Sequence, residues 1–336
     1  MSEPGPGVTA TIPSVERPAS SARWRDLMSV QIAGPLLALL VAIVIFSLTT
    51  DRFFTAANFS LMLQQSVVIG TLAIGQTLII LTAGIDLANA SIMVLGTVMI
   101  AEVAASVDPL LGLGVGVLVC AGAGALNGWI VSRWKLPPFI VTLGMLTILT
   151  ATARLLTNSQ SVSIERGLLT ALGQGTTIGG FTITWGVVLW LVLTATMAYA
   201  LTRTRWGTHV YAVGDAPNAA RLNGVKVNRV LFSVYVVAGL VYALAAWQTL
   251  GRTPIADPSA YQMGNLDSIT AVVIGGTSLF GGRGGVIGTL IGTLIVVVLQ
   301  NGLTQAGIDS LYQQIATGAL VIVAVLVDQF VRRKER

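Results

Sequence analysis

The chain has 336 residues, of which 54% are apolar and 10% charged, with a formal charge of +5 and a mean hydropathy of +0.81. Roughly a quarter of an ordinary soluble protein is charged, so too few charges remain to cover a 35.0 kDa globule in water. Both a disordered chain and a soluble enzyme are excluded. One histidine, His209, and one cysteine, Cys120, leave no His/Cys metal cluster and no intrachain disulfide to expect.

Residues 1–28 carry Pro4, Pro6, Pro13 and Pro18 with Arg17, Arg23 and Arg25, and read as a flexible, polar, cytoplasmic leader. The first apolar run, 29–49, is too long for a secretory h-region. It ends in Asp51-Arg52-Phe53-Phe54 without a small-residue cleavage pattern, which predicts an uncleaved span. Further runs able to cross ~30 Å of hydrocarbon lie near 59–83, 89–107, 110–132, 137–157, 183–202, 229–250, 266–281, 285–303 and 311–330, ten in all.

The charges follow these runs. With the N-terminus inside, fifteen basic residues fall on inner segments: Arg17, Arg23, Arg25, Arg133, Lys135, Arg203, Arg205, Arg221, Lys226, Arg229, Arg283, Arg332, Arg333, Lys334 and Arg336. Outside lie Arg52, Arg166 and Arg252, with Arg154 near the outer end of the fifth run. A positive-inside bias this strong would scramble if one span were missed or invented. The expectation is an all-α integral membrane protein with about ten transmembrane helices and cytoplasmic N- and C-termini. Residues 158–182 form a polar outer loop and 203–228 a basic inner one. Ten runs divide the transmembrane domain, 29–336, into two halves of five, and because each half holds an odd number of spans the two are inverted relative to each other. Ala-Gly-Ile-Asp occurs at 83–86 and again at 306–309, at places that do not correspond between the halves.

Inside the runs ionisable residues are few. Glu102, Arg154 and Asp267 lie toward outer ends and Asp86 at an inner end, so no carboxylate sits at mid-membrane, which argues against ion coupling. Neutral hydrogen-bonding groups replace them and suit an uncharged polyhydroxylated solute, although Ser, Thr and Gln also join helices to one another. Candidate path residues are Gln64, Gln76, Thr77, Asp86, Asn89, Asn127, Phe139, Thr142, Thr277 and Ser278. Gly284, Gly288 and Gly292 form one stripe of the ninth run and Gly124 and Gly128 repeat the spacing, as close helix packing requires. Gly275-Gly276 and Gly281-Gly282 are candidates for helix breaks beside a path.

Within the inner loop, Gly214-Asp215-Ala216-Pro217-Asn218-Ala219-Ala220-Arg221-Leu222-Asn223-Gly224 predicts a helix of about two turns. Asp215 is placed as N-cap, Pro217 in the first turn and Gly224 at C′. So short a helix is marginal alone, and a groove in a cytoplasmic partner would hold it. The chain has no Gly-x-x-x-x-Gly-Lys-Ser/Thr, since its lysines precede Leu136, Val227 and Glu335. No ATP site, cofactor or catalytic residue is expected on it.

These residues resemble the membrane permease subunit of bacterial ABC importers for ribose, xylose, galactose and related sugars, over roughly 50–330. Asn218-Ala219-Ala220-x-x-x-Gly224 is similar to the Glu-Ala-Ala-x-x-x-Gly coupling loop of importer permeases, with Asn in place of Glu. Gly75-Gln76-Thr77-x-x-Ile80-Leu81-Thr82-x-Gly84-Ile85-Asp86-Leu87 resembles the second-span signature. Leu136-Pro137-Pro138-Phe139-Ile140-Val141-Thr142-Leu143-Gly144, the stretch from Ala271 to Gly282, and Asn301-Gly302-Leu303 resemble three others. Ala88-Asn89-Ala90-Ser91 departs from the family's Ser-Val-Gly-Ser.

The resemblance implies a multi-pass subunit of the bacterial inner membrane that performs no covalent chemistry and translocates a neutral monosaccharide or polyol. It further implies a homodimer of permeases, separate ATPase chains that bind ATP and Mg, and an outer sugar-binding protein. The coupling segment is expected to use Gly214, Asp215, Pro217, Asn218, Ala219, Ala220, Arg221, Leu222 and Gly224, and binding-protein docking Arg52, Arg166 and Arg252. Nucleic acid is not an expected partner. The alternatives are an ion-coupled secondary transporter or facilitator, and an importer permease for a branched-chain amino acid or nucleoside.

Overall fold

The computed structural model describes residues 20–334; the expected leader lies outside the described residues up to residue 19. From Ser20 the chain is helical, so α1 (Ser20–Thr49) begins ahead of the apolar run expected from 29. It is followed by α2 (Ala56–Leu81), α3 (Asn89–Ser106), α4 (Pro109–Trp134) and α5 (Pro138–Leu156). The start signals are local. Thr55 Oγ1 accepts the Asn58 N–H at 3.2 Å to begin α2, and the Asp108 carboxylate accepts Leu110 and Leu111 N–H groups at 2.8 and 3.1 Å ahead of Pro109 to begin α4.

The loop expected over 158–182 carries structure of its own. Strand β1 (Val162–Ser163) pairs antiparallel with β4 (Ile255–Ala256), a 3-10 turn covers Leu168–Gly173, and β2 (Gly175–Ile178) forms a hairpin with β3 (Phe181–Thr184). Gly179 and Gly180 have φ of 58° and 81°, the two positive values a tight hairpin turn needs. Then come α6 (Trp185–Arg203), α7 (Arg205–Asp215), α8 (Pro217–Leu222), α9 (Val227–Arg252), α10 (Gly264–Ile274), α11 (Val286–Gln305) and α12 (Ser310–Lys334).

Among the described residues, eight helices, α1–α6, α9 and α11, are long and apolar enough to cross a bilayer, and α10 and the 310–323 part of α12 are shorter apolar helices. The run expected over 266–281 is therefore corrected. α10 has 11 residues, about 16 Å at 1.5 Å per residue, because Gly276 (φ 86°) ends it and 277–285 fold as a loop in which Gly281, Gly282 and Gly284 also have positive φ. The proposed breaks at Gly275-Gly276 and Gly281-Gly282 are real. Gly284 precedes α11, so only Gly288 and Gly292 of the expected stripe lie on the helix, packed on the Gly275 and Ala271 carbonyls of α10.

Helix α9 occupies the centre, against α2, α3 and α4. Its approach to α4 is close enough that a Cβ on Gly239 would stand 2.5 Å from the Cys120 carbonyl oxygen, and one on Gly124 2.5 Å from that of Tyr235. On the opposite flank, α11 packs against α1, α2 and α10. The repeated Ala-Gly-Ile-Asp has one local role in both places, which is to end a long apolar helix in a Schellman motif. After α2, Ala83 takes the left-handed position (φ 60°), with Ala83 N–H donating to Ile80 and Gly84 N–H to Ile79. After α11, Gly307 (φ 74°) takes it, with Gly307 N–H donating to Thr304 and Ile308 N–H to Leu303.

Candidate functional site

Between α2 and α3 the chain runs inside the bundle. Residues 82–88 must find partners for their backbone groups away from water, and side chains of three helices provide them. With its amide oriented to satisfy both contacts, Gln76 of α2 donates to the Asp86 carbonyl at 3.0 Å and accepts the Asp86 N–H at 3.2 Å. Thr142 Oγ1 of α5 accepts the Leu87 N–H at 3.0 Å and lies 3.2 Å from the Ile85 carbonyl oxygen. Asn265 of α10 donates to the Leu87 carbonyl at 3.3 Å.

Asp86, expected at an inner helix end, is fully enclosed. One carboxylate oxygen accepts the Ala88 N–H at 2.8 Å, and the other accepts the hydroxyl of Tyr242, on α9, at 3.1 Å. It lies level with Gln76, five residues or about 7.5 Å into the bundle from Leu81. Asn89, the first residue of α3, donates to Ser268 Oγ of α10 at 2.7 Å. The structure thus brings Gln76, Asp86, Asn89 and Thr142 together. Tyr242, Ser268 and Asn265, which complete the cluster, were not singled out in the sequence; a polar residue inside an apolar run was the available signal.

The other path candidates are dispersed. Thr77 Oγ1 meets Thr289 Oγ1 at 2.7 Å and ties α2 to α11. Thr277 Oγ1 accepts the Gly285 N–H at 3.2 Å and Ser278 Oγ the Phe280 N–H at 3.4 Å, so both shape the 277–285 loop. Phe139 is half exposed on the flank of α5. Asn127 is fully buried in α4 and neither of its amide atoms has a hydrogen-bond partner, nor has the buried Tyr235 hydroxyl of α9. Gln64 lines a cavity of about 50 Å³ with Gln248, Arg252 and Thr184, into which the buried, unpartnered amide of Gln248 opens. A larger groove of about 430 Å³ lies on the flank among α1, α2, α11 and β3, and its lining is apolar. Asn301, from the Asn-Gly-Leu motif, pairs its amide with that of Asn58 at 2.9 and 3.0 Å, joining α11 to α2.

At one end of the bundle lie α7 and α8. The single helix expected over 215–223 is corrected to two. Asp215 is the last residue of α7, not an N-cap; Ala216 takes the N-cap position of α8, with Pro217 in the first turn. The amphipathic 205–215 segment was missed because its short apolar face is interrupted by Arg205, Thr208 and His209. Gly224 stands at C′ with φ 83°, and the Gly224 and Val225 N–H groups donate to the Arg221 and Ala220 carbonyls at 3.0 Å. Ala220 is buried beneath α8, whereas Pro217, Asn218, Ala219 and Arg221 are exposed and Leu222 is 90% exposed.

α7 is seated firmly. The Tyr211 hydroxyl donates to the Gly284 carbonyl at 2.8 Å, and burial pushes its phenol up to about 12, so it remains a donor across the neutral range. Gly214 packs on the Leu81 carbonyl and the Gly282 N–H, and Gly282 N–H donates to Leu81 O at 3.0 Å. Arg52, Arg166 and Arg252 are all exposed at the opposite end, where the hairpin and the β1–β4 pair lie.

The sequence of this chain matches known transport proteins. Residues 58–325 match the family described as branched-chain amino acid transport system, permease component, and the chain belongs to that family. It is 44% identical to the fructose import permease protein of Rhizobium meliloti, over 90% of this chain and 86% of that one. It is 39% identical to the ribose import permease protein of Escherichia coli K12, over 87% and 92%. Identity to the L-arabinose ABC transporter permease protein of Azospirillum brasilense is 30%, over 97% and 96%. No solved structure matches the chain. The protein is a multi-pass permease of the inner membrane, a translocation subunit.

Proposed function

We propose that this chain is the permease of an ABC importer for a neutral monosaccharide or polyol. The observation that carries the reading is the 44% identity, across nine-tenths of the chain, to a fructose import permease. Relatives named for ribose and L-arabinose favour sugar over the amino acid of the family description.

In this reading ten apolar segments cross the membrane, the α10 one only partly as helix, with both termini in the cytoplasm, as two inverted halves, and two copies assemble. ATP and Mg bind to separate ATPase chains. α8 docks into the ATPase through the face that carries Asn218, Arg221 and the exposed Leu222, an apolar side chain with no reason to stand in water unless a groove receives it. Gly224 terminates that helix and Gly214 and Asp215 lead into it. Arg52, Arg166 and Arg252 receive an acidic face of the sugar-binding protein. The solute passes neutral groups drawn from Gln64, Asn89 and Asn127, with Gln76, Asp86 and Thr142 holding the backbone beside it, Thr77 tying α2 to α11, and Thr277 and Ser278 shaping the loop after α10.

The test is reconstitution in proteoliposomes with the cognate ATPase and binding protein. ATP hydrolysis and uptake are expected to rise with one member of a monosaccharide and polyol panel, and reversal of Arg252 to Glu should lower binding-protein-stimulated hydrolysis. Uptake by the purified chain alone, driven by a proton or sodium gradient, would overturn the reading, as would stimulation by amino acids only.

A further inference from the structure

α10 is half a span. Its 11 residues are bounded on one side by the Gly275-Gly276 break and on the other by 257–263, a stretch of turns in which Tyr261 has φ 53°. Gly264, at its start, packs beside Ala90 and Leu72, in the middle of the bundle rather than at its end. A short helix with irregular backbone at both ends can be displaced as a body, because the flanking turns absorb the change in φ and ψ.

Two of its polar contacts go to the buried segment, Asn265 donating to the Leu87 carbonyl and Ser268 accepting from Asn89, and a third, Asp267, accepts from Gln300 of α11 at 3.2 Å. α11 meets it through Gly288 and Gly292 on main-chain carbonyls and through side chains, with Ile274 packed against Ile291 and Ile295. Both units lead to α7. Gly282 N–H donates to Leu81 O, where the 82–88 segment begins, and Gly214 packs on both atoms of that bond. Gly281 lies against Ala83 and the Gly214 carbonyl, and Gly282 against Asp215. Tyr211 holds Gly284 one turn of α7 earlier.

We propose that α10 and residues 82–89 form one moving unit, driven by α7 through the joint of Gly214, Tyr211, Leu81 and Gly281–Gly284. The unit is the gate of the permease, and α7 rather than α8 is the lever that moves it. Tyr211 and Gly282 are positioning residues, since neither is required to touch solute or ATPase. This rests on the reading of α8 as the ATPase-docking helix and adds what the docked helix acts upon.

The experiment uses the full complex in proteoliposomes and reads two quantities in each variant: association of the ATPase, and solute taken up per ATP hydrolysed. Tyr211→Phe removes the bond to Gly284 without changing the packing, and Gly282→Ala drives a Cβ to within 2.8 Å of that of Asp215. Both are expected to retain the ATPase and to lower uptake per ATP at least fivefold. A ratio unchanged in both variants would overturn the proposal, as would loss of ATPase binding, which would make α7 part of the dock alone. If Gly282→Ala fails to insert, Tyr211→Phe decides the matter. Gly224→Val serves as the separate check on docking: if it keeps its ATPase the docking reading fails, while the coupling ratio still judges α7.

Discussion

Asp86 offers the most direct test of how the buried segment is held. Replacing it with alanine removes both acceptors from a fully enclosed site, stranding the Ala88 N–H (2.8 Å) and the Tyr242 hydroxyl (3.1 Å). A buried donor left unpaired costs about 1–3 kcal/mol, so the pair amounts to about 2–6 kcal/mol. No longer enclosing a carboxyl group offsets part of this. Asp86→Asn keeps an oxygen for Ala88 and should cost less, about 1–3 kcal/mol. The offset is removed by a double-mutant cycle. In the Tyr242→Phe background the hydroxyl is already gone, so Asp86→Ala should be milder there by about 1–3 kcal/mol. Tryptophan fluorescence during denaturant unfolding of the purified chain in detergent gives all four midpoints. Additive effects of the two substitutions would refute the assignment of Tyr242 as the partner, and an Asp86→Ala midpoint equal to wild type would refute the clamp altogether.

Other expectations follow from single positions. Gly224→Val places a β-branched residue at φ 83° with open space around it, so the cost is backbone alone. At about 1–2 kcal/mol, ATPase co-purification should fall roughly five- to thirtyfold with insertion intact; full yield of the complex would count against α8 as the dock. Gly239→Ala sets a Cβ 2.5 Å from a main-chain oxygen of α4, whereas Gly144→Ala meets nothing within 4 Å on an exposed helix face. The first should lower the melting temperature of the purified chain markedly and the second should leave it equal or raise it, by up to about 1 kcal/mol of helix propensity; equal effects would show that the α4–α9 contact is not close. Ala83→Gly relieves a left-handed alanine (φ 60°) and should stabilise by about 0.5–1 kcal/mol, read as a raised denaturant midpoint.

Much of the local structure was legible in the chain. Gly224 ends a helix, and the Gly275-Gly276 and Gly281-Gly282 pairs break the backbone where the sequence suggested. Less legible were the features that average out in a window of hydropathy. The run 266–281 is apolar throughout, yet only 264–274 is helical, because a positive φ at Gly276 is invisible to a mean over apolar residues. The α7 helix was hidden by its few apolar residues, and β1–β4 by a pairing that joins Val162 to Ala256 across two hairpin strands and four helices.

Composition and charge placement determined by themselves that this protein lives in a membrane, that it crosses many times, and that one basic loop carries a short helix ended by Gly224. Those properties depend on residue type and on neighbours within a few positions. Which residues hold the buried segment was decided only in three dimensions. Asp86 and Tyr242 are 156 residues apart, Asn89 and Ser268 179, and Asn58 and Asn301 243. Inside an apolar bundle a broken backbone persists only where side chains from elsewhere in the chain take up its hydrogen bonds. Tertiary packing therefore turned scattered polar residues, each unremarkable in its own helix, into one clamp seated on α7.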